Sequence, residues 1–165
     1  MKLLFLDMDG VVNKANDNCD PKRYPYKDKW CWRQLGCELT YVDPKLAETV
    51  SKLIFDYDLK IVSSSSWRLY YSMEQFKELL KARFLPGDNL IGYTPDLGYM
   101  MEPRREEIKC FLTEFQDPVE KYVILDDTEG ADYTTKKGKF FRTDFRTGYT
   151  ETVDRKVRKF LERKT

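Results

Sequence analysis

The sequence predicts an α/β protein, a parallel sheet with helices on both faces, and three observations carry that prediction. Short apolar runs of strand length alternate with longer stretches whose apolar residues recur at helical spacing. Several apolar runs end in a cluster of carboxylates or hydroxyls. The chain, at 165 residues, suits one domain with one substantial core.

The elements follow in order. Residues 2–7 read as the first strand and end at Asp7, with Asp9 and Gly10 just beyond. The stretch "VDPKLAETVSKLIFDY" reads as a helix with Asp43 as N-cap, Pro44 as first helical residue, and an apolar stripe of Leu46, Val50, Leu53 and Ile54. "LKIVSS", from Leu59, is a second strand that runs into hydroxyls. "SMEQFKELLKARF" opens with a Ser72–Gln75 capping box. "NLIGYT" reads as a short edge strand, and Pro103 starts a helix with Ile108, Phe111, Leu112 and Phe115 inward. "YVILDD" is a strong strand ending in Asp126 and Asp127, "GKFFRT" a further one. An amphipathic helix built on Val153, Val157, Phe160 and Leu161 follows Thr150.

Residues 12–42 form a long insertion between the first strand and the first helix. Within it "KRYPYKDKWCWRQ" interleaves cations with Tyr24, Tyr26, Trp30 and Trp32. Two readings stand: a flap packed onto the body by its aromatic residues, and a surface where bases stack while Lys and Arg hold phosphates. We expect one domain over residues 1–165 that includes this flap-like insertion.

Composition narrows the chemistry. The chain has no histidine, which excludes Ser-His-Asp and Cys-His catalysis. Acid–base work falls to carboxylates, Lys, Tyr or Cys. The four cysteines, Cys19, Cys31, Cys37 and Cys110, form no CxxC pair. The first three could offer thiolates to a metal; the plainer reading is small, partly buried apolar residues. Net charge is +1, so a nucleic-acid contact would need a local patch. No apolar run reaches membrane-span length and no signal peptide is expected, which points to a cytoplasmic protein.

In parallel sheets the active site lies beyond the C-terminal strand ends. Asp7 and Asp9, Ser63 to Ser66, and Asp126 and Asp127 would meet at that edge. Ionised carboxylates are costly to bury unless a cation or a reaction needs them.

Together "LDMDGVV", "IVSSSSWR", "IGYTP", "RREEI", "YVILDD" and "TGYT" resemble the haloacid dehalogenase-like (HAD) superfamily, and more closely the HAD domain of Swiss Army Knife RNA repair proteins. The resemblance spans nearly the whole chain. It implies a Rossmann-like HAD fold, here without a large cap domain, and a Mg²⁺-dependent phosphomonoesterase. In such enzymes the first aspartate, here Asp7, is the nucleophile that becomes an aspartyl-phosphate. Asp9 would be general acid and then base. Asp7, Asp9 (through its backbone carbonyl), Asp126 and Asp127 would hold Mg²⁺. Gly10 allows a sharp turn beside the phosphate.

Ser64 is the first choice for the phosphate-binding hydroxyl and Ser65 the second. Ser63, Ser66, Trp67 and Arg68 read as structural, although Arg68 could reach a phosphate. The third motif, usually a Lys, departs here: Arg104, Arg105 and Lys109 compete for it. Asp132 fits a variant of the fourth motif or a solvated loop. The expected substrate is a phosphorylated molecule, an RNA or DNA end, since an uncapped site admits bulk. Alternatives are a 5'(3')-nucleotidase with residues 12–42 as a lid, a phosphoprotein phosphatase, or a non-catalytic HAD-like accessory module.

Overall fold

A computed structural model describes residues 1–13, 42–98 and 103–163. Its sheet has five parallel strands in the order β3-β2-β1-β4-β5. The strands are β1 (Lys2–Leu6), β2 (Leu59–Ser63), β3 (Leu90–Tyr93), β4 (Lys121–Asp126) and β5 (Gly138–Arg142). Four α-helices are described: α1 (Pro44–Tyr57), α2 (Met73–Lys81), α3 (Pro103–Glu114) and α4 (Glu151–Leu161). This is the expected α/β architecture, and no large cap is present among the described residues.

The pleat sorts the core. Successive strand residues face opposite sides of a sheet. Leu4 and Leu6 of β1, Leu59 and Ile61 of β2, and Val123 and Leu125 of β4 share one cluster with α1, α2 and α4. Leu3, Phe5, Val62, Tyr122 and Ile124 face the other way, onto Ile108 and the half-buried Phe111, Leu112 and Phe115 of α3 and its C-terminal end. Both faces are therefore covered, which is why β1 is apolar from Leu3 to Leu6 rather than alternating. Each large apolar side chain so buried contributes about 1.5–3 kcal/mol.

Local signals place the helices. Asp43 caps α1 by accepting from the amides of Lys45 and Leu46 at 2.9 and 3.3 Å. Ser72 and Gln75 form the reciprocal capping box of α2. The Asp43 amide donates to the Val12 carbonyl at 2.7 Å, so the chain re-enters the body beside the point where it leaves. The aromatic-basic segment with Trp30 and Trp32, and Cys19, Cys31 and Cys37, lie outside the described residues. No helix of the described residues is long and apolar enough to cross a membrane.

Candidate active site

Asp7 is the first residue past β1, the central strand. Its amide donates to Leu125 at 3.0 Å, and the Ser64 amide donates to Leu6 at 3.1 Å, so the ladder continues one step and fixes the Asp7 backbone on both sides. The residue is buried, only 5% exposed. Burial, and then the charge of Asp126, push its pKa up to about 7 against the opposing pull of Arg104, the Ser65 hydroxyl and the Met8 amide.

Asp126, the last residue of β4, is fully buried. One of its oxygens accepts from the Thr128 amide and hydroxyl at 2.9 and 2.8 Å. The other meets Arg104 Nη1 at 2.8 Å, and the same nitrogen lies 3.2 Å from Asp7 Oδ1. Burial disfavours the guanidinium charge, but Asp7 and Asp126 outweigh it and hold the Arg104 pKa above its usual value. Asp127 is half-buried, and burial followed by Asp126 raises its pKa as well.

Gly10 is required where it stands. Its φ is +71°, and a Cβ there would fall 2.6 Å from Asp127 Oδ2. The turn therefore brings its backbone directly against the carboxylate cluster. Asp9 is held from two sides: Trp67 Nε1 donates to Oδ2 at 2.9 Å, and Asn13 Nδ2 donates to Oδ1 at 2.5 Å. Asn13 in turn accepts from the Gly10 amide at 2.8 Å, locking the turn that carries Asp9.

Among the serines, it is the Ser65 hydroxyl that reaches Asp7, while it also caps the following 3₁₀ turn by accepting from the Trp67 amide at 3.4 Å. Ser64, the preferred candidate from sequence, is fully buried and its hydroxyl has no partner among the described residues. The hydroxyls of Ser63, Thr94 and Thr143 are likewise buried without partners among the described residues. All four residues stand at or one past the C-terminal end of β2, β3 or β5. An unpaired buried hydroxyl costs free energy, and here the cost is concentrated at the edge that holds Asp7.

Arg104 is the basic residue on Asp7. Lys109 is exposed and pairs with Glu106 at 3.2 Å on its own helix, and Arg105 is exposed; neither joins the cluster. Arg68 has each of its nitrogens committed. Nε donates to Thr94 O at 2.9 Å, Nη1 to the Ser64 and Ser65 carbonyls at 3.0 and 2.8 Å, and Nη2 meets Glu107 at 2.8 Å. It clamps the serine turn to β3 and α3, the structural role expected of it, and has no donor directed at a phosphate. Asp132 is exposed and accepts from the amide and hydroxyl of Thr134, closing a local turn away from the site.

Carboxylate oxygens of Asp7, Asp126 and Asp127 all lie within 4.8 Å of one another. An all-oxygen, all-anionic donor set suits a hard divalent cation such as Mg²⁺. A cation would also reverse the repulsion that raises the Asp7 pKa. The donors therefore fit the metal.

Sequence reading overlooked Asn13 and assigned Trp67 to packing alone. Asn13 had a local signal, an amide side chain three residues after a turn glycine. Trp67 had none, because its contact with Asp9 spans 58 residues.

A carboxylate-bearing turn on the central strand, with further carboxylates at the end of the adjacent strand and an arginine across from them, defines a HAD-type hydrolase of the phosphatase class. The chain belongs to the family described as the HAD domain in Swiss Army Knife RNA repair proteins, whose model matches residues 3–153. No curated protein and no solved structure matches the chain significantly.

Proposed function

We propose that the protein is a Mg²⁺-dependent phosphomonoesterase that acts through an aspartyl-phosphate on terminal phosphates of nucleic acid, in the cytoplasm. The single observation that carries the reading is the meeting of Asp7, Asp9, Arg104, Asp126 and Asp127 at one sheet edge.

When bound by Asp7, the Asp9 backbone carbonyl, Asp126 and Asp127, Mg²⁺ would neutralise phosphate charge and keep Asp7 ionised. Asp7 attacks phosphorus, and the bond from phosphorus to the leaving oxygen breaks. Asp9, oriented by Trp67 and Asn13, gives that oxygen its proton. Asp9 then takes a proton from water as the water oxygen attacks phosphorus. The bond to Asp7 breaks and inorganic phosphate leaves. Arg104 and the Ser65 hydroxyl stand beside Asp7, where they can hold phosphoryl oxygens in both steps.

The test is phosphate release with Mg²⁺ across mononucleotides, sugar phosphates, phosphopeptides and oligonucleotides phosphorylated at the 3′ or 5′ end. Oligonucleotides should be the best substrates, and EDTA should abolish release. A preference for mononucleotides would favour the nucleotidase. No release from any of them would leave an accessory module.

A further inference from the structure

The chain as a whole is nearly neutral, yet in one groove near the site every charged lining residue is a cation. It lies between β5, at the open edge of the sheet, and α4, with a volume of about 470 Å³. Lys139 and Arg142 line it from the strand, and Lys156, Lys159 and Arg163 from the helix and its end, with half-buried Phe140 among them. Among the described residues no carboxylate lines it. Glu129 pairs with the groove's Arg142, and Asp154, next in sequence to Val153, pairs with Arg158 at 2.7 Å.

The groove does not stop at the helix. A second cavity of similar size shares Arg142 and Val153 with it and reaches Asp127. Arg142 joins the two physically, since its Nε donates to the Asp127 carbonyl at 3.0 Å. Phe145, 51% exposed, lines this second cavity. A path thus runs from Asp127, past Asp144 and the exposed Phe145, into the groove of lysines and arginines.

We infer that this path is the binding track for the body of a single-stranded nucleic acid whose terminal phosphate sits at Asp7. Lys139, Lys156, Lys159 and Arg163 can follow the backbone, and Phe145 offers a face to bases, the combination that binds single strands without reading sequence. The inference deepens the phosphatase reading and rests on it for the position of the strand's end. It places the strand on described residues, independently of the segment holding Trp30 and Trp32.

The experiment is fluorescence anisotropy with a labelled, hydroxyl-ended single-stranded RNA, measured over a salt series without turnover. Lys139→Ala, Lys156→Ala and Lys159→Ala combined should weaken binding roughly tenfold or more. They should also lower the salt slope by about two, since each lost phosphate contact removes about 0.7. Phe145→Ala should weaken binding with the slope unchanged. A control that removes equal charge elsewhere, Lys45→Ala with Lys52→Ala and Lys77→Ala, should bind as wild type. Equal loss in control and groove variants would overturn the track, as would an unchanged salt slope in the groove variant. Displacement by polyglutamate at matched charge would overturn the nucleic-acid occupant in favour of an acidic protein. A protein that binds RNA through the groove but releases phosphate from nothing would refute the phosphatase reading and leave the track standing.

Discussion

Strand β4 carries a buried charge at each end, and the two ends are opposites. At its start Lys121, 4% exposed, turns Nζ onto the carbonyls of Phe160, Leu161 and Arg163. These carbonyls belong to the C-terminal end of α4 and the turn after it, where the helix dipole is negative and backbone donors run short. The charge is matched and the helix end is capped. At the other end Asp126 meets one guanidinium, but two more carboxylates lie within 4.8 Å. Three carboxylates against one arginine leave negative charge in excess when all are ionised. A buried charge that its neighbours neutralise holds the fold together, whereas a cluster left with net charge is set up for a cation and a reaction.

The largest effect should come at the acidic end. Asp7→Asn keeps the shape of the side chain but is a very poor nucleophile, so phosphate release should vanish. The same change removes one of three repelling carboxylates, so the metal-free melting temperature should hold or rise. Residual turnover near wild type would break the assignment of Asp7. Asp9→Asn should come next, lowering kcat about 10²–10⁴-fold, the usual share of a general acid–base. A much smaller loss in single-turnover kinetics would mean another group moves the proton.

Lys121→Met tests the opposite end. It should cost about 1–3 kcal/mol in denaturant unfolding, because the α4 carbonyls lose their donor. Activity at low temperature should remain. An unchanged midpoint would erase the contrast between the ends.

The smallest and most diagnostic effect is the response to pH without metal. Asp7 has a folded pKa of about 7 against an ordinary 3.8. Between those values the folded state holds a proton that the unfolded state has released. Stability of the EDTA-treated protein should therefore fall as pH rises from about 4 to about 7. Mg²⁺ or Asp7→Asn should flatten that slope, and Lys121→Met should leave it as it is. A metal-free protein that grows more stable over this range would contradict the acidic end as described.

The strands were legible because each is a short apolar run stopped by polar residues, and in a sheet covered on both faces nothing else reads that way. Asp7 and Asp126 followed from the same logic, as residues at strand ends. The sequence left Arg104, Arg105 and Lys109 in competition, and the helix separates them in the fold. Ile108 faces the core, and Arg104 lies four residues before it on the same helical face, whereas Lys109 is turned outward. Ser64 against Ser65 was not, because the choice depends on where β2 gives way to a 3₁₀ turn, and Ser65 is both its cap and the neighbour of Asp7. The hold of Trp67 on Asp9 exists only once β1 and β2 lie side by side.

The turn that carries Asp7 and Asp9 is tied to a stretch distant in sequence. The Tyr149 amide donates to the Val11 carbonyl at 2.8 Å. Gly148 makes this possible, since its φ is +67° and a Cβ there would stand 2.8 Å from that carbonyl. That turn therefore borrows part of its rigidity from residues far along the chain. Local opening at Gly148 and Tyr149 would free the Val11 carbonyl and slacken the turn while the sheet stays folded, so faster hydrogen exchange at the Tyr149 amide should accompany loss of phosphate release.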